Sequence, residues 1–127
     1  MTAPKQRPKY YDLNLLHLPA PGIVSIFHRV SGVLLFLVAI PAGLAVLGAT
    51  LGSESAWNAS RAALANPLAK LVLVGAIWLY VHHFIAGIRY LLLDLHLGVD
   101  KGPAQASAKM VLALGIVVTL LIGWRIW

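Results

Sequence analysis

The chain has no cysteine and only four acidic residues among 127, against ten lysines and arginines. The missing cysteine excludes disulfides, cysteine-ligated iron–sulfur clusters and thiol catalysis in this chain, and is silent on compartment. Charge of either sign is scarce: 11% of residues are charged and 60% are hydrophobic, whereas a soluble domain carries about 25% charged residues. A water-soluble globular domain is therefore excluded. Short alternating segments are absent too, which excludes a transmembrane β-barrel. Neither an internal repeat nor a low-complexity stretch is present.

What is there instead is three long apolar runs. Val30 to Ser53, Leu71 to Ile88 and Met110 to Trp124 contain no Lys, Arg, Asp or Glu. A helix needs roughly 20 mostly apolar residues to cross a hydrocarbon core. The first two runs qualify directly, and the third does if it extends from near Ala104 to near Trp127. The expected fold is all-α, a single integral-membrane domain of three transmembrane helices. The first run begins too late and runs too long for the apolar region of a cleaved signal peptide, so it is expected to remain as a helix.

Basic residues are distributed unevenly around these runs. Lys5, Arg7, Lys9, Arg29, Arg89, Lys101 and Lys109 fall on one side, and Arg61, Lys70 and Arg125 on the other. The positive-inside rule then puts the N-terminus and the connection between the second and third helices in the cytoplasm. The net charge of +6 is thus topological. With no aromatic-interleaved basic patch, it gives no reason to expect nucleic acid as a partner.

Residues 1–21 contain Pro4, Pro8, Pro19 and Pro21 and read as an extended or interfacial lead-in. Helix 1 is expected over about 22–51, with a kink at Pro41 that neighbouring helices can accommodate. GSESAWNASRAALANP reads as an external loop with a short amphipathic turn, Trp57 sitting in the interfacial aromatic belt. Helix 2 is expected over about 67–97, stopped by LGVDKGP, where Gly98 would cap it and Pro103 bar continuation. Helix 3 is expected over about 105–127.

The polar residues inside these runs need a reason. Ser25, His28 and Arg29 are spaced i, i+3, i+4 and share one helical face near the cytoplasmic end. A snorkelling arginine with a capping serine is the bland reading, but it explains neither His28 nor the alignment of the serine with the arginine. On helix 2, His83, Gly87, Tyr90 and Asp94 make one stripe, and His82, Ala86 and Arg89 the next, about 100° around. Arg89 and Asp94 lie near the helix end, where snorkelling alone can accommodate them. His83 lies near mid-membrane, where polar groups are costly and mark ligands, proton carriers or hydrogen-bonded packing residues. Gly87, one turn along, allows the close backbone approach that a flat macrocycle needs, which favours haem. His82, on the neighbouring stripe, reads as a packing or lipid-edge residue. Because helices 1 and 2 run antiparallel, Ser25, His28, Arg29, Arg89, Tyr90 and Asp94 are expected to gather at one interface.

The segments RPKYYDLNLLHLPAPGIVSIFHRVSG and HHFIAGIRYLLLD carry the motifs SIxHRxSG and HxxxGIRxxxxD. Together with the three-helix layout, they resemble the cytochrome b556 membrane-anchor subunits of succinate dehydrogenase, respiratory complex II, over nearly the whole chain. The resemblance implies one haem b shared with a second small anchor subunit, each contributing an axial histidine, here His83. It implies a ubiquinone site lined by Ser25 and Arg29, with His28, Arg29, Gly87 and Arg89 at the haem pocket and propionates. Asp94 would pair with an arginine of that pocket. Tyr90 departs from the family, where histidine is common; it can donate a hydrogen bond but carries no positive charge. The implied partners are that second anchor, an iron–sulfur subunit and a flavoprotein subunit, with FAD and the clusters held there, and the surrounding lipid. The implied location is a bacterial cytoplasmic membrane, in preference to the mitochondrial inner membrane. Within the chain, succinate oxidation has no site, since no GxGxxG in a βαβ context is present.

Other readings compete. The chain could anchor a quinol:fumarate reductase, or anchor without quinone chemistry of its own. A small transporter or proton channel would also use intramembrane His, Arg and Asp. Two stacked haems within one chain would pair histidines such as His83 and His96, thirteen apart, but His96 lies beyond Asp94 at the membrane edge. Helix 1 offers only His28 opposite, so the count favours one haem completed by a partner.

Overall fold

The computed structural model describes residues 18–127. The lead-in expected over 1–21, with Lys5, Arg7, Lys9 and His17, falls outside the described residues as far as residue 17. Among the described residues all regular structure is helical. Three helical stretches are long and apolar enough to cross a membrane: Ala20–Thr50, Pro67–Asp94 and Lys101–Ile126.

The first span is composite. Helix α1 (Ala20–Leu34) has a proline in its first turn, where the missing N–H has no intrahelical partner to lose. It leads into a π-helical segment (Leu35–Ala39) and then α2 (Ile40–Thr50). The π segment lies immediately before Pro41, which cannot donate to the fourth carbonyl back and would crowd it. Widening the turn by one residue relieves both problems. The distortion expected at Pro41 thus takes the form of a π-helical turn.

The connection expected as a loop is a helix, α3 (Glu54–Ala65). The Ser53 Oγ accepts the Ala56 N–H at 3.1 Å, and Glu54 adds negative charge to the first turn, where the helix dipole favours it. Asn66 then ends α3 and caps the next helix. The following proline holds it extended at ψ 131°, and its Oδ1 accepts the Leu68 N–H at 2.8 Å.

Helix α4 (Pro67–Asp94) stops three residues before the expected Leu97. The left-handed turn begins at His96 (φ 62°) and is followed by Gly98 (φ 74°), so the cap falls earlier than Gly98 alone suggests. Helix α5 (Lys101–Ile126) starts four residues before the expected 105. Pro103 lies within its first turn, where it breaks no hydrogen bond, and so opens the helix instead of delaying it.

Helix α4 packs against both α1 and α5, and α1 touches α5. The shared core is narrow and built of small or branched residues, Val24, Ala86, Ala108 and Val111. Small residues let membrane helices approach closely. Most large apolar side chains, Phe36, Leu44, Leu71 and Leu120 among them, stay exposed, as suits a surface facing hydrocarbon or another subunit. At the far end of the bundle, Lys70 Nζ donates to the Trp127 carbonyl at 3.1 Å and lies 5.5 Å from its ring.

Candidate functional site

Where the middle of α1 meets the middle of α4, two imidazoles stack. The His28 and His83 rings lie with centroids 4.2 Å apart and planes at 11°. His83 Nδ1 is 3.0 Å from the His28 carbonyl oxygen and 3.1 Å from Ser31 Oγ. A carbonyl can only accept, so Nδ1 carries the hydrogen, and in the neutral ring Nε2 is left with the lone pair. Ser31 Oγ in turn donates to the same carbonyl at 3.0 Å. The three groups form a closed polar cluster across the α1–α4 seam.

Close approach at this seam depends on Gly32. A Cβ there would stand 2.9 Å from His83 Cε1 and 3.4 Å from Nδ1, whereas one on Gly87 would meet only His28 Nε2, at an ordinary 3.7 Å. The tightest clearance therefore belongs to helix 1. Gly87 faces the His28 ring.

Tyr90 sits one turn beyond Gly87. Its ring centroid is 5.0 Å from that of His28, and its hydroxyl is buried without a hydrogen-bond partner. Arg89 is buried but turns towards α5: its Nε donates to Ser107 Oγ at 2.9 Å and its Nη2 to the Ala104 carbonyl at 3.1 Å. Its guanidinium carbon lies 5.5 Å from the Tyr90 ring centroid. Ser25 is half-buried and Arg29 exposed on α1. Arg29 borders an open cleft of about 240 Å³ with Val30, Val33 and Leu34. Asp94 is exposed at the last position of α4.

The structure thus brings His28, His83, Gly87 and Tyr90 together and leaves Arg89 adjacent but committed to α5. The gathering of Arg89 and Asp94 with Arg29 is not seen: the Arg89 guanidinium is held by Ser107 and the Ala104 carbonyl of α5, and Asp94 and Arg29 are both exposed. Ser31 and Gly32 are site residues to which sequence reasoning assigned no role, although both stand inside the motif SIxHRxSG.

The neighbouring histidine behaves differently. His82 has no exposed surface; its ring stacks on Trp78 at 5.3 Å and meets Phe27 edge-on at 5.9 Å. Gly115 of α5 leaves room for it, and both ring nitrogens lack hydrogen-bond partners. It is a packing residue at the centre of the three spans and not at the lipid edge.

Among the described residues, no three His, Cys, Asp or Glu side chains come together as a metal cage. A metal held at the His28–His83 pair would have to bring most of its own ligands, as iron in a porphyrin does. The anchored tautomer of His83 fits that demand, since metal-bound histidines commonly donate their other ring N–H to a backbone carbonyl.

Fold and site together define a helical membrane subunit of three spans, with a paired-histidine cluster inside its bundle. Residues 3–122 match the family described as succinate dehydrogenase/fumarate reductase transmembrane subunit, and the chain belongs to that family. It is 32% identical over 126 residues to the succinate dehydrogenase cytochrome b556 subunit of Coxiella burnetii, covering 96% of this chain and 98% of the relative. It is 28% identical over 119 residues to the subunit of the same name from Paracoccus denitrificans, covering 91% and 88%. The resemblance carried by the two motifs therefore extends along nearly the whole chain.

Proposed function

We propose that this chain is the quinone-reactive anchor of a succinate:ubiquinone oxidoreductase and that His83 is one axial ligand of a haem b shared with a second small anchor subunit. The observation that carries this is the 3.0 Å contact between His83 Nδ1 and the His28 carbonyl oxygen: a carbonyl can only accept, so the hydrogen belongs on Nδ1 and Nε2 is left free to ligate. The buried, unpartnered Tyr90 hydroxyl and the His28 ring beside it would contact the bound group, with Arg89 behind them contributing positive charge. When bound, the haem supplies a one-electron store whose potential depends on its ligands, burial and nearby charge.

Ubiquinone reduction is assigned to the α1 side of this cluster. Ser25 would donate a hydrogen bond to a quinone carbonyl oxygen, and Arg29 would stabilise negative charge developing there; both count for more in a low-dielectric site. Arg29 is exposed on α1, so its guanidinium is accessible from outside the bundle to a ligand arriving from the lipid. Succinate oxidation would occur on a flavoprotein subunit holding FAD, with electrons arriving through an iron–sulfur subunit. The basic-residue asymmetry puts the N-terminus and the α4–α5 connection on the cytoplasmic side of a bacterial cytoplasmic membrane, and protons for the quinone would come from that side.

The optical spectrum of the purified complex tests the ligand. His83→Ala abolishes or strongly perturbs the b-type spectrum, whereas His82→Ala leaves it in place; the reverse result would mean that the neighbouring histidine is the ligand. Quinone chemistry has its own test. Ser25→Ala and Arg29→Ala lower quinone reductase activity while leaving the subunits assembled; intact activity would reduce the chain to a structural anchor. A quinol:fumarate reductase anchor would use the same residues, because direction depends on the quinone potential and the catalytic subunits.

A further inference from the structure

We propose that Ser31 is a positioning residue for the haem ligand: its hydroxyl, together with the His28 carbonyl, fixes the tautomer and ring plane of His83 and sets how strongly Nε2 donates. The inference rests on the assignment of His83 as an axial ligand. It stands on geometry that an ordinary helical serine does not require. A serine in a membrane helix commonly bonds back to the carbonyl three or four residues earlier, and Ser31 does so with His28. Ser31, however, is 1% exposed, and its oxygen also lies 3.1 Å from an imidazole nitrogen 52 positions away in the chain.

The roles in this cluster follow from hydrogen count. Ser31 spends its single hydrogen on the His28 carbonyl, so towards His83 it acts as an acceptor, and Nδ1–H is shared between that carbonyl and Ser31 Oγ. Two acceptors on one N–H push electron density towards Nε2 and stabilise the more positively charged metal state. Gly32, the next residue, leaves the space in which the ring can lie this close. The adjacent Ser-Gly pair thus does two jobs: the serine sets the electronics and direction of the ring, and the glycine gives it room.

Removing the Ser31 acceptor leaves the His28 carbonyl, so the ligand should stay bound while donating less strongly. In the purified complex, redox titration of the haem band in Ser31→Ala is expected to show three- to tenfold more reduced haem at a fixed applied potential. For a one-electron couple that is an upward shift of about 30–60 mV. Ser31→Thr, which keeps the hydroxyl, should return the ratio towards that of the unmodified chain. Haem loss in Ser31→Ala with retention in Ser31→Thr also supports the proposal. An unchanged ratio in Ser31→Ala, or equal haem loss in both variants, would overturn it by reducing Ser31 to packing. His83→Ala is run alongside. A b-type spectrum that survives it discards the ligand assignment itself, which is a different failure from a silent Ser31.

Discussion

The two ends of this bundle are built differently. Towards one end, α1, α4 from Val81 onwards and α5 as far as Val111 hold most of the buried residues, including the polar Ser31, His82 and Arg89. There hydrogen bonds cross both helix seams: His83 to the His28 carbonyl, and Arg89 to Ser107 and Ala104. In the other half, neither the π-helical segment, α2 nor α3 buries a single residue. In hydrocarbon, apolar faces have little reason to associate with one another, so packing and interhelical hydrogen bonds must hold the helices together. The chain therefore makes its own tertiary structure mainly where it places its polar groups, and the same end carries the histidine pair. The site also serves as the clasp of the fold.

That contrast predicts strong effects at the clasp. The largest is expected from Gly32→Ala. The added methyl would stand 2.9 Å from His83 Cε1, so the ring must move off its hydrogen bonds. Disturbing the support of a metal ligand commonly costs about 10- to 100-fold in affinity, and haem content per complex should fall accordingly. Alanine is a better helix former than glycine, so weakened helicity is not an available cause. A variant with full haem content and an unshifted spectrum would show that α1 and α4 do not approach this closely in the assembled complex.

Next in size is Arg89→Ala. It removes two charge-assisted hydrogen bonds to the first turns of α5, each of a kind worth about 1.5–3 kcal/mol. A loss on the order of 2 kcal/mol is expected in thermal unfolding of the purified complex. Arg89→Lys should recover only part of it, because an ammonium cannot span Ser107 and Ala104 with a planar fork. Full recovery by lysine would assign Arg89 to long-range charge and not to the α4–α5 joint.

Much of this architecture is legible in the sequence, for identifiable reasons. Long uncharged runs must span, so the three helices follow from composition, and the two motifs single out His28 and His83 as polar residues needing a reason, though not that their rings stack on each other. What the sequence leaves unread is of two kinds. Local capping decides α3, whose signals are Ser53 ahead of Glu54 and an alanine-rich stretch; a weak apolar pattern hides it. Tertiary approach decides the rest. That Gly32, and not Gly87, makes the tight clearance, and that Arg89 reaches Ser107, depend on how closely the helices meet and on where α5 begins. Pro103 misleads on the second point, since a proline three residues into a helix looks like a stop from one side and a start from the other.

The smallest effects are expected in the other half, and there the size of the effect is itself informative. A Cβ on Gly43 or Gly48 of α2 would meet nothing within 4 Å, and the large apolar residues around them, Leu44 and Leu47, are 63% and 54% exposed. For the chain by itself, Gly43→Ala and Gly48→Ala should therefore be tolerated, with a gain of up to about 1 kcal/mol from helix propensity. Glycines that let backbones approach are, however, the usual currency of helix contacts between membrane subunits. If this face lies against lipid, both variants should assemble with the other subunits and unfold at or slightly above the temperature of the unmodified complex. If it lies against a second anchor helix, the added methyls will lower subunit yield on co-purification while leaving the helicity of this chain unchanged. Such an outcome would move α2 from the lipid-facing half of the comparison into an interface, and make its emptiness in the single chain the imprint of a partner.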